Sequence, residues 1–130
     1  MGLNMYLTAK RVLDEPLPVE GMDPVAKVDA VVVNIGEWRK ALHIHQWFVR
    51  HVQKGQDNCT AYWVQRTVLE KLLKVCNRVI QNRHEAETLL PSFGYGYDET
   101  YFDQLLQTVN MIKTSMTLPD CWEIYYDSFW

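Results

Sequence analysis

The stretch Thr60-Ala61-Tyr62-Trp63-Val64-Gln65-Arg66-Thr67-Val68-Leu69-Glu70-Lys71-Leu72-Leu73-Lys74-Val75-Cys76-Asn77-Arg78-Val79-Ile80 changes its hydrophobic period midway, and that change decides the fold class. Its first part sets Tyr62 and Val64 on one side of an extended segment, the two-residue spacing of a short strand. Its second part sets Leu69, Leu72, Leu73, Cys76, Val79 and Ile80 on one stripe of a 3.6-residue repeat, which predicts a helix. Thr67 and Glu70 stand at capping-box spacing, where the hydroxyl accepts from a backbone N–H three residues on and the carboxylate reaches back.

The same alternation of periods extends outward. Leu3, Met5, Leu7 and Ala9 alternate with polar or amphipathic residues and predict a half-buried strand. Residues 13–27 are rich in proline and acids and read as a surface loop. Val28 to Ile35 is nearly continuous and β-branched, so a more fully buried second strand is expected, broken at Gly36. From Trp38 to Lys54 the stripe Ala41, Ile44, His45, Phe48 and Val52 predicts a helix, with Gly55 past its end. Residues 91–98 form a glycine–tyrosine loop, after which Asp98 can cap a helix to about Thr117 through Phe102, Leu105, Val109, Ile112 and Met116. The segment from Cys121 to Trp130 alternates Trp122, Ile124, Tyr126 and Ser128 with Glu123, Tyr125, Asp127 and Phe129, the pattern of a last strand. Strands interspersed with helices predict one α+β domain over 1–130, an antiparallel or mixed sheet of about four strands packed with three helices.

With 130 residues, 48% of them hydrophobic and 22% charged, the chain is too apolar to be disordered. Its apolar runs are too short for a membrane-spanning helix, and no apolar leader segment follows its first charges. Three cysteines without a Cys-x-x-Cys pair exclude a zinc ribbon or a thioredoxin-type site and suit a reduced, cytoplasmic protein; Cys76 reads as core. A net charge of -3 makes nucleic acid an unexpected partner. The charge is unevenly spread. Residues 37–83 hold nine Lys/Arg against three acids, whereas 84–130 hold one Lys against eight acids. A basic face that receives an anion is one consequence.

The opening Met1-Gly2-Leu3-Asn4-Met5-Tyr6-Leu7, the block Trp38-Arg39-Lys40-Ala41 followed by Ile44-His45 and Trp47-Phe48, and the ending Trp122-Glu123-Ile124-Tyr125-Tyr126 up to Trp130 resemble a family of small bacteriophage and prophage proteins. The likeness runs the length of the chain and is thinnest between Asp14 and Asp29. Asn4, Leu42 and Thr60 stand where Asp, Asn and Gly are common in that family. The resemblance implies a phage origin and brings no activity with it.

No metal or other cofactor is expected. His43 and His45 point about 200° apart on a helix, and His45 and His51 are six residues apart, so neither pair chelates one ion. The loop Phe93-Gly94-Tyr95-Gly96-Tyr97 lacks the Gly-Lys-Ser/Thr ending of a phosphate-cradling loop. Trp38-Arg39-Lys40, placed by the spacing at a helix N-terminus, combines free N–H groups, a guanidinium fork and a mobile ammonium, with an indole to cover a planar group. Tyr95 and Tyr97 would form an aromatic flap, Tyr126, on one strand face with Ser128 and Trp130, a site wall or an oligomer interface, and Tyr6, Tyr62 and His45 complete nine candidate ligand contacts. These nine residues predict non-catalytic capture of a small anionic, nucleotide-derived ligand, as in a phage sponge for a host immune messenger. Two alternatives remain open: an inhibitor or adaptor that binds a host protein through the acidic, aromatic C-terminal half, and a small nucleotide hydrolase using His45 with Arg39. Aromatic residues on both faces of the last strand predict a homo-oligomer, most simply a dimer.

Overall fold

Alternation governs the centre of the sheet. In strand β1 (Asn4–Pro18), Met5, Leu7 and Ala9 are fully buried while Asn4, Tyr6 and Thr8 are half-buried. The structure, a computed structural model, describes residues 2–21 and 26–130. The chain continues through β2 (Lys27–Arg39), α1 (Leu42–His51), β3 (Tyr62–Val64), α2 (Arg66–Gln81), a 3-10 turn at Arg83–Glu85 that runs into the one-turn helix α3 (Ala86–Leu89), α4 (Glu99–Met116) and β4 (Glu123–Phe129). The four strands form one antiparallel sheet in the order β2-β1-β4-β3. This is the expected α+β domain, with α3 as a fourth, short helix.

One face of the sheet carries the helices. Met5, Leu7, Trp38, Ile124 and Tyr126 enclose a core with Ile44 and Phe48 of α1, Leu69, Leu72 and Cys76 of α2, and Phe102, Leu105 and Ile112 of α4. The phenol of Tyr126 stacks on Phe48 at 3.9 Å between ring centroids, and Trp38 donates its indole N–H to Thr108 Oγ1 at 2.8 Å. Asp98 caps α4 as its sequence position predicts, accepting from the Tyr101 N–H at 3.1 Å. The capping box proposed for α2 is not made: the helix starts at Arg66, so Thr67 lies inside it, and the cap residue Gln65 makes no side-chain bond. Arg66 supplies the anchor there. Its guanidinium donates to the carbonyls of Leu118 and Pro119 (both 2.8 Å), Trp122 (3.2 Å) and Ser115 (3.4 Å), tying the start of α2 to the α4–β4 connection.

Three expectations are corrected at the N-terminal end. The 13–27 loop is shorter than predicted, because β1 runs to Pro18 and β2 starts at Lys27; residues 22–25 of that loop lie outside the described residues. The prolines are tolerated because β4 pairs only with Asn4 to Lys10, leaving the rest of β1 bonded on one side alone, with an irregularity between Val12 and Leu17. The Val28–Ile35 run is largely exposed rather than buried, since β2 is the edge strand of the sheet and the start of the run pairs only within the two-stranded arm; Val32 is 62% and Val12 68% exposed. Gly36 does not end β2. Its missing side chain makes room for Met111 of α4, whose atoms would lie 2.7–2.9 Å from an added Cβ.

Candidate functional site

The predicted helix from Trp38 to Lys54 is a strand end, a turn and a helix. Trp38 and Arg39 finish β2, Lys40 turns the chain with φ 54°, and α1 begins only at Leu42. The reason is that this strand end pairs with β1, Met5 opposite Trp38 and Asn4 opposite Arg39, and α4 backs it: Gln104 donates to the Arg39 carbonyl at 3.0 Å and Gln107 to that of Glu37. Trp38-Arg39-Lys40 is therefore not a helix N-terminus. Trp38 is 1% exposed, and Arg39 and Lys40 point into solvent.

The other predicted contacts are distributed over the molecule. His45 is fully buried, with Nδ1 at 2.6 Å from Tyr126 Oη and Nε2 at 3.0 Å from Asp57 Oδ2, the latter off the straight N–H direction. Burial, followed by the nearby Asp57 and Asp127 carboxylates, drives the Tyr126 phenol far above its usual range. The phenol therefore stays protonated and shares a hydrogen bond with His45 Nδ1. Trp130 closes over this group, its indole N–H at 3.1 Å from the same carboxylate. Bonded to Tyr126 through Nδ1 and set beside Asp57 through Nε2, His45 links the 55–59 turn to the last strand. Tyr6 packs against Phe129 on the open sheet face, and Tyr62 donates to Asn58. Tyr97 accepts from the Ser92 N–H, and Tyr95, 68% exposed, reaches the rim of a small hollow of about 110 Å³ that it shares with Lys40, Leu3, Leu42 and Trp130. The structure thus brings together Lys40 and Tyr95 at this hollow, and Trp38, His45 and Tyr126 in the core. It does not gather the nine residues into one site.

A cleft of about 450 Å³ lies elsewhere, between α1, α2 and the end of α3 with the segment after it. Helix α1 contributes His43, Gln46, Trp47, Arg50 and His51, which recur at three- and four-residue steps on the side flanking its core stripe. Helix α2 contributes Lys71, Lys74 and Val75, and the third wall is Thr88 to Pro91 with Phe93. The lining holds two lysines, an arginine and two histidines and no carboxylate. Among the described residues, Arg50, Lys71 and Lys74 make no ion pair. Their positive potential is felt inside the cleft: desolvation, then Arg50 and Lys71, lowers the pKa of His51. The third wall is apolar at Leu89, Leu90 and Pro91, and Trp47 adds an indole from α1.

At the other end of the α1 face, His43 is 5% exposed and its ring stacks on Tyr101 at 4.2 Å. Burial lowers its pKa to about 4, opposed in part by the Tyr101 backbone, so the imidazole is neutral at physiological pH. Its Nε2 has no hydrogen-bond partner. Tyr101 in turn donates to the Leu90 carbonyl at 2.6 Å, which fixes the third wall. None of the nine sequence-predicted residues lines this cleft. The signal that could have located it was the basic excess of residues 37–83 combined with the second face of the α1 helix.

Of the thiols, Cys59 and Cys121 are exposed, while burial pushes that of Cys76 up to about 12 and keeps it protonated in the core. Among the described residues no three His, Cys, Asp or Glu side chains gather as a metal site, and no helix is long and apolar enough to cross a membrane. Comparison of the chain with protein-family models, curated proteins and solved structures gives no match.

Proposed function

We propose that this protein captures a small anionic, nucleotide-derived ligand in the α1–α2 cleft and releases it unchanged. The observation that carries this reading is the lining itself: Arg50, Lys71, Lys74 and His51 face an apolar wall with no acid among them. A cleft of about 450 Å³ with an apolar wall and a few convergent polar groups has the size and character of a small-molecule site. Charges gathered without partners carry mutual repulsion that a bound anion relieves. Retention without turnover suits a site in which the neutral His43 has no carboxylate beside it. In an infected cell, which the resemblance to phage proteins suggests as the setting, such a protein would act in the cytoplasm as a sponge for a nucleotide messenger. The test is to incubate the purified chain with a panel of mononucleotides, cyclic nucleotides and ADP-ribose-type compounds, remove unbound material and denature by heat. Recovery of one compound intact and in stoichiometric amount supports capture; recovery of an altered compound, or of none, overturns it.

The β1–β2 arm favours a second partner, another copy of this chain. Strand β2 is a sheet edge of 13 residues with exposed Val28, Val31, Val32 and Val33, and such an edge is a template for pairing with its own copy about a two-fold axis.

A further inference from the structure

Of the basic groups that line the α1–α2 cleft, Arg50, Lys71 and Lys74 carry permanent charges, whereas His51 gains or loses its charge near neutral pH. Trp47 holds the His51 imidazole in place from one helical turn away, with ring centroids 4.4 Å apart and planes tilted by 31°. The titratable groups that share the cleft with His51 are Arg50 and the neutral His43 from α1 and Lys71 and Lys74 from α2; the third wall, Thr88 to Pro91 with Phe93, adds no charge. Desolvation, then the charges of Arg50 and Lys71, hold His51 below its usual 6.5, so it is neutral at pH 7.5. Its place in the last turn of α1 favours the opposite form, because the free carbonyls at a helix end attract a cation. A single negative charge entering the cleft cancels one of the two charges that oppose protonation. A double negative charge cancels both.

We infer that His51 is a contact of the anion site, that it takes a proton from solvent as the anion enters beside Arg50 and Lys71, and that the ligand class is therefore a terminal phosphate monoester. This rests on the capture reading and adds to it the charge state of the ligand and one of its contacts. A phosphate monoester is close to doubly charged at neutral pH and offers three acceptor oxygens. Arg50, Lys71 and a protonated His51 are three cationic donors in one lining. A cyclic phosphodiester carries one charge and leaves part of the repulsion around His51 standing. Charge-assisted hydrogen bonding to the phosphate offsets what desolvation costs the imidazolium. Binding of the monoester therefore strengthens as the pH falls toward 7, until the phosphate itself begins to take a proton near about 6.

Calorimetric titration of the full chain at pH 7.5 tests this with AMP, GMP, CMP and UMP, each set against its own 3′,5′-cyclic form, and with ADP-ribose as a pyrophosphate diester. Each pair shares one base, so the comparison isolates the phosphate. The monophosphate that binds is expected to do so at least about tenfold more tightly than its cyclic form, the worth of one hydrogen bond to a charged group. Titration in two buffers of different ionisation enthalpy should show net proton uptake with the monophosphate. His51→Gln, which keeps a polar side chain without a titratable charge, should abolish that uptake and remove the tenfold preference, leaving the cyclic form bound as before. Should His51→Gln fail to fold, the unmodified chain answers the same question: monophosphate affinity should rise as the pH is lowered from 8.5 to 7, where the phosphate's own charge changes little, while cyclic nucleotide affinity stays flat. Monophosphate binding without proton uptake, or uptake that persists in His51→Gln, overturns the role of His51 and leaves capture standing. Binding of a cyclic nucleotide or of ADP-ribose as tight as that of any monophosphate overturns the ligand class and likewise leaves capture standing. No binding by any of these compounds overturns the capture reading itself.

Discussion

Because His43 is buried and neutral, folding opposes its protonation, and stability must depend on pH in a definite direction. The perturbation is acidification from pH 7.5 to 4 in the unmodified chain and in His43→Phe. In the unfolded chain the imidazole titrates near 6.5, whereas in the native protein it titrates near 4. Between these values the unfolded state binds more protons than the native state, so stability falls as the pH falls. At its steepest the dependence is about 1.4 kcal/mol per pH unit, and the whole interval amounts to about 3 kcal/mol. That is a large part of the roughly 5–15 kcal/mol by which a domain of this kind is stable. Above pH 6.5 the contribution is complete and flat. Urea unfolding followed by circular dichroism at half-unit pH steps measures it, and the quantity of interest is the difference between the two proteins. His51, whose pKa is lowered in the same direction, and Glu85, held low by its hydrogen bond to Arg78, are common to both proteins and drop out of that difference. The unmodified chain should lose about 3 kcal/mol more than His43→Phe by pH 4. Parallel curves would refute the burial and neutrality of His43.

Arg66→Ala should destabilise the chain by about 2 kcal/mol in urea unfolding, and Arg66→Lys should not restore it, because an ammonium cannot reach the several carbonyls that the guanidinium binds. Gly36→Ala should cost about 1–3 kcal/mol, since its methyl would overlap Met111; restoration by Met111→Ala in the same chain would confirm the contact, and a neutral Gly36→Ala would contradict it. The exposed valine arm should hold two copies together, so light scattering at micromolar concentration should give twice the chain mass, falling to one chain mass in Val32→Lys. A single-chain mass in the unmodified protein that persists on concentration contradicts this.

How far the sequence was legible depended on whether a segment's surroundings were local. The alternation of Met5, Leu7 and Ala9 and of Ile124, Tyr126 and Ser128 predicted strands, and both are present because each lies in the sheet where one face is covered by helices. The α2 and α4 stripes were equally plain, as was the Asp98 cap. The valine run from Val28 was misread as buried because composition reports apolarity and not what lies opposite; here only a partner strand lies opposite. Trp38-Arg39-Lys40 was misplaced for a related reason. Its helical spacing is continuous with the Ala41 stripe, but Trp38 and Arg39 pair with β1, and Gln104 and Gln107, distant in the chain, bind the carbonyls of Arg39 and Glu37. The cleft was legible only in outline, as a basic excess in residues 37–83. His43 and His45 differ by two residues and could not be ranked from sequence, whereas in the fold His45 is bound to Tyr126 in the core and His43 stacks on Tyr101 beside the cleft.

The most direct test of the account is where a bound nucleotide perturbs the protein. Amide chemical shifts of the isotope-labelled chain, recorded while each of AMP, GMP, CMP and UMP is added in turn, report this residue by residue. The account predicts saturable shifts concentrated at residues 43–51, 71–75 and 88–93, the three walls of the cleft. Shifts centred instead on Lys40 and Tyr95, or no saturable shift with any of the four, would contradict it.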